Sequence, residues 1–193
     1  NQHLSMFSQW KISSNGTWTA WPDNLGKTEK TVRMIILADM DTSPISQGSR
    51  SWLSTRRDRN TDGLGTDLIA HVGDFAYDLQ DQAGKHGDEF FAEMSKRITN
   101  RVPYITNFGN HDNYADGEFL NYRFRMPNTD SSQWRNRNYD FVYKGMYFMV
   151  CDVGDITRFH PENEQAVFDW VKSRLEIANQ RKDIMWKVFM SHK

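Results

Sequence analysis

Leu68-Ile69-Ala70-His71-Val72-Gly73-Asp74-Phe75-Ala76-Tyr77 is the stretch on which the fold turns. Its first five residues read as a short buried strand, and Gly73 then lets the backbone turn off that strand so that Asp74 stands beyond its carboxyl end. The same arrangement recurs on both sides. A strand over 31–38 ends at Asp39-Met40-Asp41, one over 103–108 at Gly109-Asn110-His111-Asp112, one over 146–151 at Asp152, and one over 185–190 at Ser191-His192. Residues 88–100 place Phe90, Phe91, Met94 and Ile98 on one helical face, and residues 162–180 do so with Val167, Val171, Leu175 and Ala178. Strands alternating with helices predict a layered α/β core. In such sheets ligands bind beyond the carboxyl ends of the strands, where these Asp, Asn and His residues collect.

The residue types at those ends suit metal ions. A carboxylate leaving a Gly turn has two oxygens with which to bridge two cations, and Asp74 fits that role. Three residues on, a phenol with a pKa near 10 becomes a ligand only beside a strongly acidic cation, so Tyr77 points to a hard ion such as ferric iron. Asn110 offers a neutral carbonyl oxygen. The neighbouring imidazole of His111 is placed to act as proton donor or oxyanion stabiliser toward a phosphate. His192 supplies a nitrogen of the kind zinc, iron or manganese accept, and Asp39 completes the oxygen set. Two ions about 3.5 to 4 Å apart would clamp a phosphate ester, lower the pKa of bound water and align it with the leaving alcohol.

Taken together, Gly73-Asp74-Phe75-Ala76-Tyr77, Gly109-Asn110-His111-Asp112 and Val188-Phe189-Met190-Ser191-His192 resemble the motifs of the purple acid phosphatases, within the calcineurin-like metallophosphoesterases. Gly87-Asp88-Glu89-Phe90, Val102-Pro103-Tyr104 and the run over 121–127 resemble the larger eukaryotic members. The resemblance implies a four-layer α-β-β-α metallophosphoesterase sandwich over residues 31–193, incomplete at the C-terminus. Residues 1–30 would be a linker or the end of a preceding fibronectin-like β domain. It implies acid hydrolysis of small phosphomonoesters by a metal-bound hydroxide at a binuclear centre of Fe(III) plus Fe, Zn or Mn. Asp39 and Tyr77 would bind the ferric ion, Asp74 would bridge, Asn110 and His192 would bind the divalent ion, and His111 would be catalytic. Asp41 stands where the family carries Gly, and no Gly-His-x-His follows His192. Those two departures keep a second reading in view: a catalytically silent phosphoesterase-like domain used as a structural or interaction module.

The rest of the sequence narrows the partners. With 24 basic and 25 acidic residues in 193, mixed along the chain, nucleic acid is not expected. No apolar run approaches the roughly 20 residues of a bilayer span. The sequon at Asn15-Gly16-Thr17 suits glycosylation, and with the family it favours a secreted or vesicular, lysosome-like location. A homo-oligomer or larger assembly stays open. Cys151 reads as a buried thiol, His71 as a hydrogen-bonded core histidine and Asp152 as a turn residue. His3, His86 and His160 are expected to face solvent, and Arg123, Arg125, Arg135 and Arg137 to be solvated or to draw in anions. Residues 58–63 open like a calcium loop, but Ile69 occupies the position of the bidentate Glu, so a polar loop is the better expectation.

Overall fold

Aliphatic and aromatic runs that stop abruptly at glycine or a polar residue make short strands, and here they assemble into two three-stranded sheets. The computed structural model of the protein describes residues 10–12, 18–20, 32–40, 66–112, 124, 126, 137–152 and 161–192. Asn15, Asp41, residues 58–63, His3, His160, Arg123, Arg125 and Arg135 lie outside the described residues.

Near the start, β1 (Trp10–Ile12) and β2 (Trp18–Ala20) form an antiparallel hairpin. The first sheet holds β3 (Met34–Leu37), β4 (Leu68–Val72) and β5 (Tyr104–Asn107), all parallel and in that spatial order. Its register pairs Leu37 with His71 and Val72 with Asn107, so the turns after the three strands emerge together at one edge. The second sheet holds β6 (Tyr139–Tyr143), β7 (Met146–Val150) and β8 (Trp186–Met190). In it β6 and β7 form a hairpin, and β7 and β8 run parallel with Val150 opposite Met190.

Helix α1 (Lys85–Met94), prolonged by a π-helical turn over Ser95–Thr99, buries Phe90, Phe91 and Met94. Its Phe90 ring lies 6.0 Å from that of His71, on the face of the first sheet that also carries Tyr104. Alternation along β7 divides the second sheet between two cores. Phe148 and Val150 join Ile105 and Ala70 in the main core, whereas Tyr147 and Met149 face Trp170, Val171, Leu175 and Ala178 of helix α2 (Glu164–Gln180). The order of layers is therefore helix, sheet, sheet, helix, as the resemblance implies.

Strands β4, β5, β7 and β8 fall within a residue or two of the stretches read from the sequence, and β3 is shorter than expected. Two features were not expected. Helix α1 begins at Lys85 instead of 88, because Gly84 adopts φ 86° and lets the chain enter the helix earlier. Strand β6 was hidden by Asp140, a charge in what should be an apolar run. That carboxylate is buried, accepting hydrogen bonds from Arg174 of α2 (Nη2 at 2.7 Å, and Nε) and from Tyr147 Oη at 2.6 Å. Both of its partners are raised: the hydrogen bond to Asp140 raises the Arg174 guanidinium further, and burial first, then Asp140, pushes the Tyr147 phenol up.

Candidate metal centre

The strand ends can converge because two glycines keep side chains out from between them. A Cβ on Gly73 would lie 2.6 Å from His192 Cγ and 2.7 Å from Gly109 Cα; one on Gly109 would lie 2.1 Å from Asp74 Oδ1. Gly73 also has φ +75°, a conformation side chains rarely tolerate. The loop after β3 is sewn to the loop after β4 by two backbone bonds, Asp39 N–H to the Gly73 carbonyl (3.2 Å) and Met40 N–H to the Asp74 carbonyl (3.0 Å).

This packing brings Asp39, Asp74 and His192 together with one ligand atom of each within 4.8 Å of the others. The Tyr77 hydroxyl donates to Asp39 Oδ1 at 3.2 Å and so belongs to the same cluster. His192 donates Nδ1–H to the Val72 carbonyl at 2.8 Å, which turns Nε2 toward Asp74 Oδ2, 3.5 Å away. An imidazole tethered through one nitrogen to a carbonyl, with the other turned toward carboxylates, is the arrangement of a metal-ligating histidine. Two carboxylates, a phenol and an imidazole form a mixed oxygen and nitrogen donor set that suits iron, zinc or manganese. Asp74 is buried, His192 half-buried and Asp39 exposed, so the cluster opens to solvent on the Asp39 side.

His111 lies on the same rim. Its ring meets the Tyr77 ring edge-on at 4.8 Å, its Nδ1 stands 3.5 Å from Asp78 Oδ1, and its backbone N–H donates to Asp74 Oδ1 at 3.0 Å. Asn110, between Gly109 and His111, is half-buried in the same turn. Of the six residues assigned from the sequence, Asp39, Asp74, Tyr77 and His192 thus form one cluster, with Asn110 and His111 on the loop hydrogen-bonded to it.

Other residues take different places from those expected. His86 is half-buried and donates Nε2–H to the Ala76 carbonyl at 2.7 Å, bracing the Gly73–Tyr77 turn instead of facing solvent. Asp152 is more than a turn residue: it is buried in an ion pair with Arg137, whose guanidinium lies 4.7 Å over the Phe108 ring. His71 does share a hydrogen bond with Tyr104 in the core; burial, reinforced by His192, lowers its pKa to about 3. Sequence reasoning gave no role to Asp112, which is buried and pushed up to about 7 by desolvation, against the opposing pull of amide donors led by Gly109. The fourth letter of Gly-Asn-His-Asp was the signal available for it. Cys151 is a buried free thiol, raised to about 12 by burial and then by Asp152 and Asp140.

Residues 32–193 match the profile of the calcineurin-like phosphoesterase family. Acid phosphatase type 7 of Danio rerio is 30% identical over 155 residues, 76% of this chain and 33% of that protein. The protein of that name in Homo sapiens is 29% identical over 130 residues, 66% of this chain and 28% of its own length. The chain thus spans about a third of the length of these relatives or less. A purple acid phosphatase from yellow lupin (Lupinus luteus) seeds superposes with a TM-score of 0.47 at 20% identity, covering 74% of this chain and 29% of that one.

Proposed function

The chain belongs to the calcineurin-like phosphoesterase family, and on that premise we propose that it serves an acid phosphatase of the purple type, hydrolysing small phosphomonoesters at a binuclear metal site. The observation that carries this reading is the convergence of Asp39, Asp74 and His192 within 4.8 Å, with the Tyr77 hydroxyl on Asp39. Asp39 and Tyr77 would hold Fe(III), Asp74 would bridge, and Asn110 and His192 would hold Fe, Zn or Mn. Bound there, the cations supply the charge that draws in a phosphate ester and acidifies the attacking water.

The chain's own groups do the rest. His192 is held by Val72 so that its Nε2 stays directed at the cluster. With Nδ1 of His111 facing Asp78, Nε2 is the atom left to face the ester, where it donates a proton to the departing alkoxide oxygen or steadies negative charge on the phosphate. Among the described residues no helix is long and apolar enough to cross a membrane. A secreted or vesicular place, with sugar on Asn15, accords with the sequon and with acid phosphatase relatives.

The test is metal content, visible absorbance and hydrolysis of p-nitrophenyl phosphate at acidic pH. We expect iron plus a divalent ion, a visible band that disappears in Tyr77→Phe, and loss of bound metal and turnover in Asp74→Asn. A colourless, metal-free protein without turnover would overturn the proposal in favour of the silent module.

A further inference from the structure

Two loops of the candidate centre exchange carboxylates for amides. Asp112, only 2% exposed, places Oδ2 on the backbone N–H of Asp74 at 2.7 Å and of Gly109 at 2.9 Å, and Oδ1 on that of Phe75 at 3.2 Å. Its own N–H closes a turn on the Gly109 carbonyl at 3.0 Å. In return Asp74 places Oδ1 on the backbone N–H of His111 at 3.0 Å. Each loop thus accepts from the other through one carboxylate, in the reciprocal manner of a helix capping box.

Both carboxylates are needed for a physical reason. The turn after β4 presents the consecutive amides of Asp74 and Phe75 to the interior, and the turn after β5 presents that of Gly109. A buried amide without an acceptor is costly, and no water-facing side is open to these three. Asp112 gathers them on one group, and in doing so it pins the Cα of Asp74, a residue with φ 50° that a relaxed chain would not choose. The absence of a Cβ on Gly109 is what permits the approach, since that Cβ would sit 2.2 Å from Asp74 N.

We propose that Asp112 is a positioning residue of this centre: through the amides of Asp74, Phe75 and Gly109 its carboxylate fixes where the Asp74 carboxylate, and with it the Asn110-His111 turn, stands. The inference rests on Asp74 being a metal ligand. Asp112→Asn preserves volume but replaces one acceptor oxygen with an NH2 that meets N–H donors head-on. Asp112→Glu keeps the charge but adds a methylene.

Titration of the purified protein with Mn(II) or Zn(II) by calorimetry is the test, with Asp74→Asn and a core variant of matched Tm loss, such as Phe148→Leu, beside it. The expected result is a metal affinity at least about tenfold weaker in Asp112→Asn, partial recovery in Asp112→Glu, and no change in Phe148→Leu. Wild-type affinity in Asp112→Asn would overturn the proposal. Absence of binding by the wild-type protein itself would instead overturn the reading of Asp74 as a ligand. Should Asp112→Asn fail to fold, hydrogen exchange on the unmodified protein decides. Slow exchange at the Asp74, Phe75 and Gly109 amides supports the clamp, and rapid exchange at all three refutes it.

Discussion

Gly73 and Gly145 have nearly the same backbone conformation, φ +75° and +74°, but very different neighbours, and this makes them a matched pair of probes. Alanine at either position meets the same left-handed strain, about 1–2 kcal/mol. At Gly145, in the β6–β7 turn, the added Cβ finds the Asp183 carbonyl oxygen at 3.2 Å and the Met185 Cε at 3.5 Å, contacts that a small adjustment relieves. At Gly73 it would lie 2.6 Å from both Cγ and Nδ1 of His192 and 2.7 Å from the Gly109 backbone. The imidazole would have to leave Val72, or the Gly109 turn would have to retreat, adding about 1–3 kcal/mol of overpacking. Gly145→Ala should therefore cost about 1–2 kcal/mol and leave metal binding untouched. Gly73→Ala should cost about 2–5 kcal/mol and weaken Mn(II) or Zn(II) binding at least tenfold, because the displaced imidazole is the nitrogen donor of the proposed centre. Urea unfolding and calorimetric metal titration of both variants provide the readout. Equal destabilisation with wild-type metal affinity in Gly73→Ala would show that the strand ends do not converge on His192 as described.

Two further perturbations probe the scaffold. Arg174→Met strands the buried Asp140 carboxylate and should cost about 3 kcal/mol in urea unfolding, less in the double variant with Asp140→Asn, whereas strictly additive losses would show the two are not coupled. His71 has a folded pKa of about 3, below the 6.5 of the unfolded chain, so its contribution is complete above about pH 6.5 and declines as pH falls from there toward 3. Between pH 7 and 5 that loss is about 2 kcal/mol, and the double variant His71→Phe, Tyr104→Phe should remove it; an unchanged acid sensitivity by urea unfolding would refute the assignment.

Much of the fold was legible because its signals are local. An apolar run ending at glycine and a ligand-type residue needs no tertiary information, and four of the five strands read that way fall within a residue or two of their observed ends. What escaped notice depends on partners far away in the chain. Asp140 looks like a break in a strand until Arg174, 34 residues later, is seen to neutralise it. Arg137 looks like a solvated cation until Asp152 and Phe108 are placed around it. Within the candidate site the ligand-type side chains could be picked out individually; Asp112 stands in the same Gly-Asn-His-Asp motif, but nothing local marks it as the acceptor that organises their backbone. Asp112 acts on amides, and amides leave no mark in a sequence.

That division has an energetic side. Asp39, Asp74, Tyr77 and Asp78 all have φ between 47° and 54°. At about 1–2 kcal/mol each for a left-handed residue, the four hold a strain of the same order as the net stability of an ordinary domain. Aspartate tolerates this region better than most residues, so three of the four are tolerable by residue type, and the anomaly is Tyr77. A bulky side chain stays there only if the surroundings over-determine it. Tyr77 has its hydroxyl on Asp39, its ring edge-on to His111, and the carbonyl of the preceding Ala76 held by His86. Left-handed residues also stand in turns outside the cluster, at Gln82, Ala83 and Lys144, so the strain by itself does not mark the site. What sets the four apart is that each is tied to another member of the cluster. Within the cluster the backbone is bent so that side chains aim at a common point, and the amide hydrogen bonds given by Asp39 and Met40 and those accepted by Asp112 hold it there.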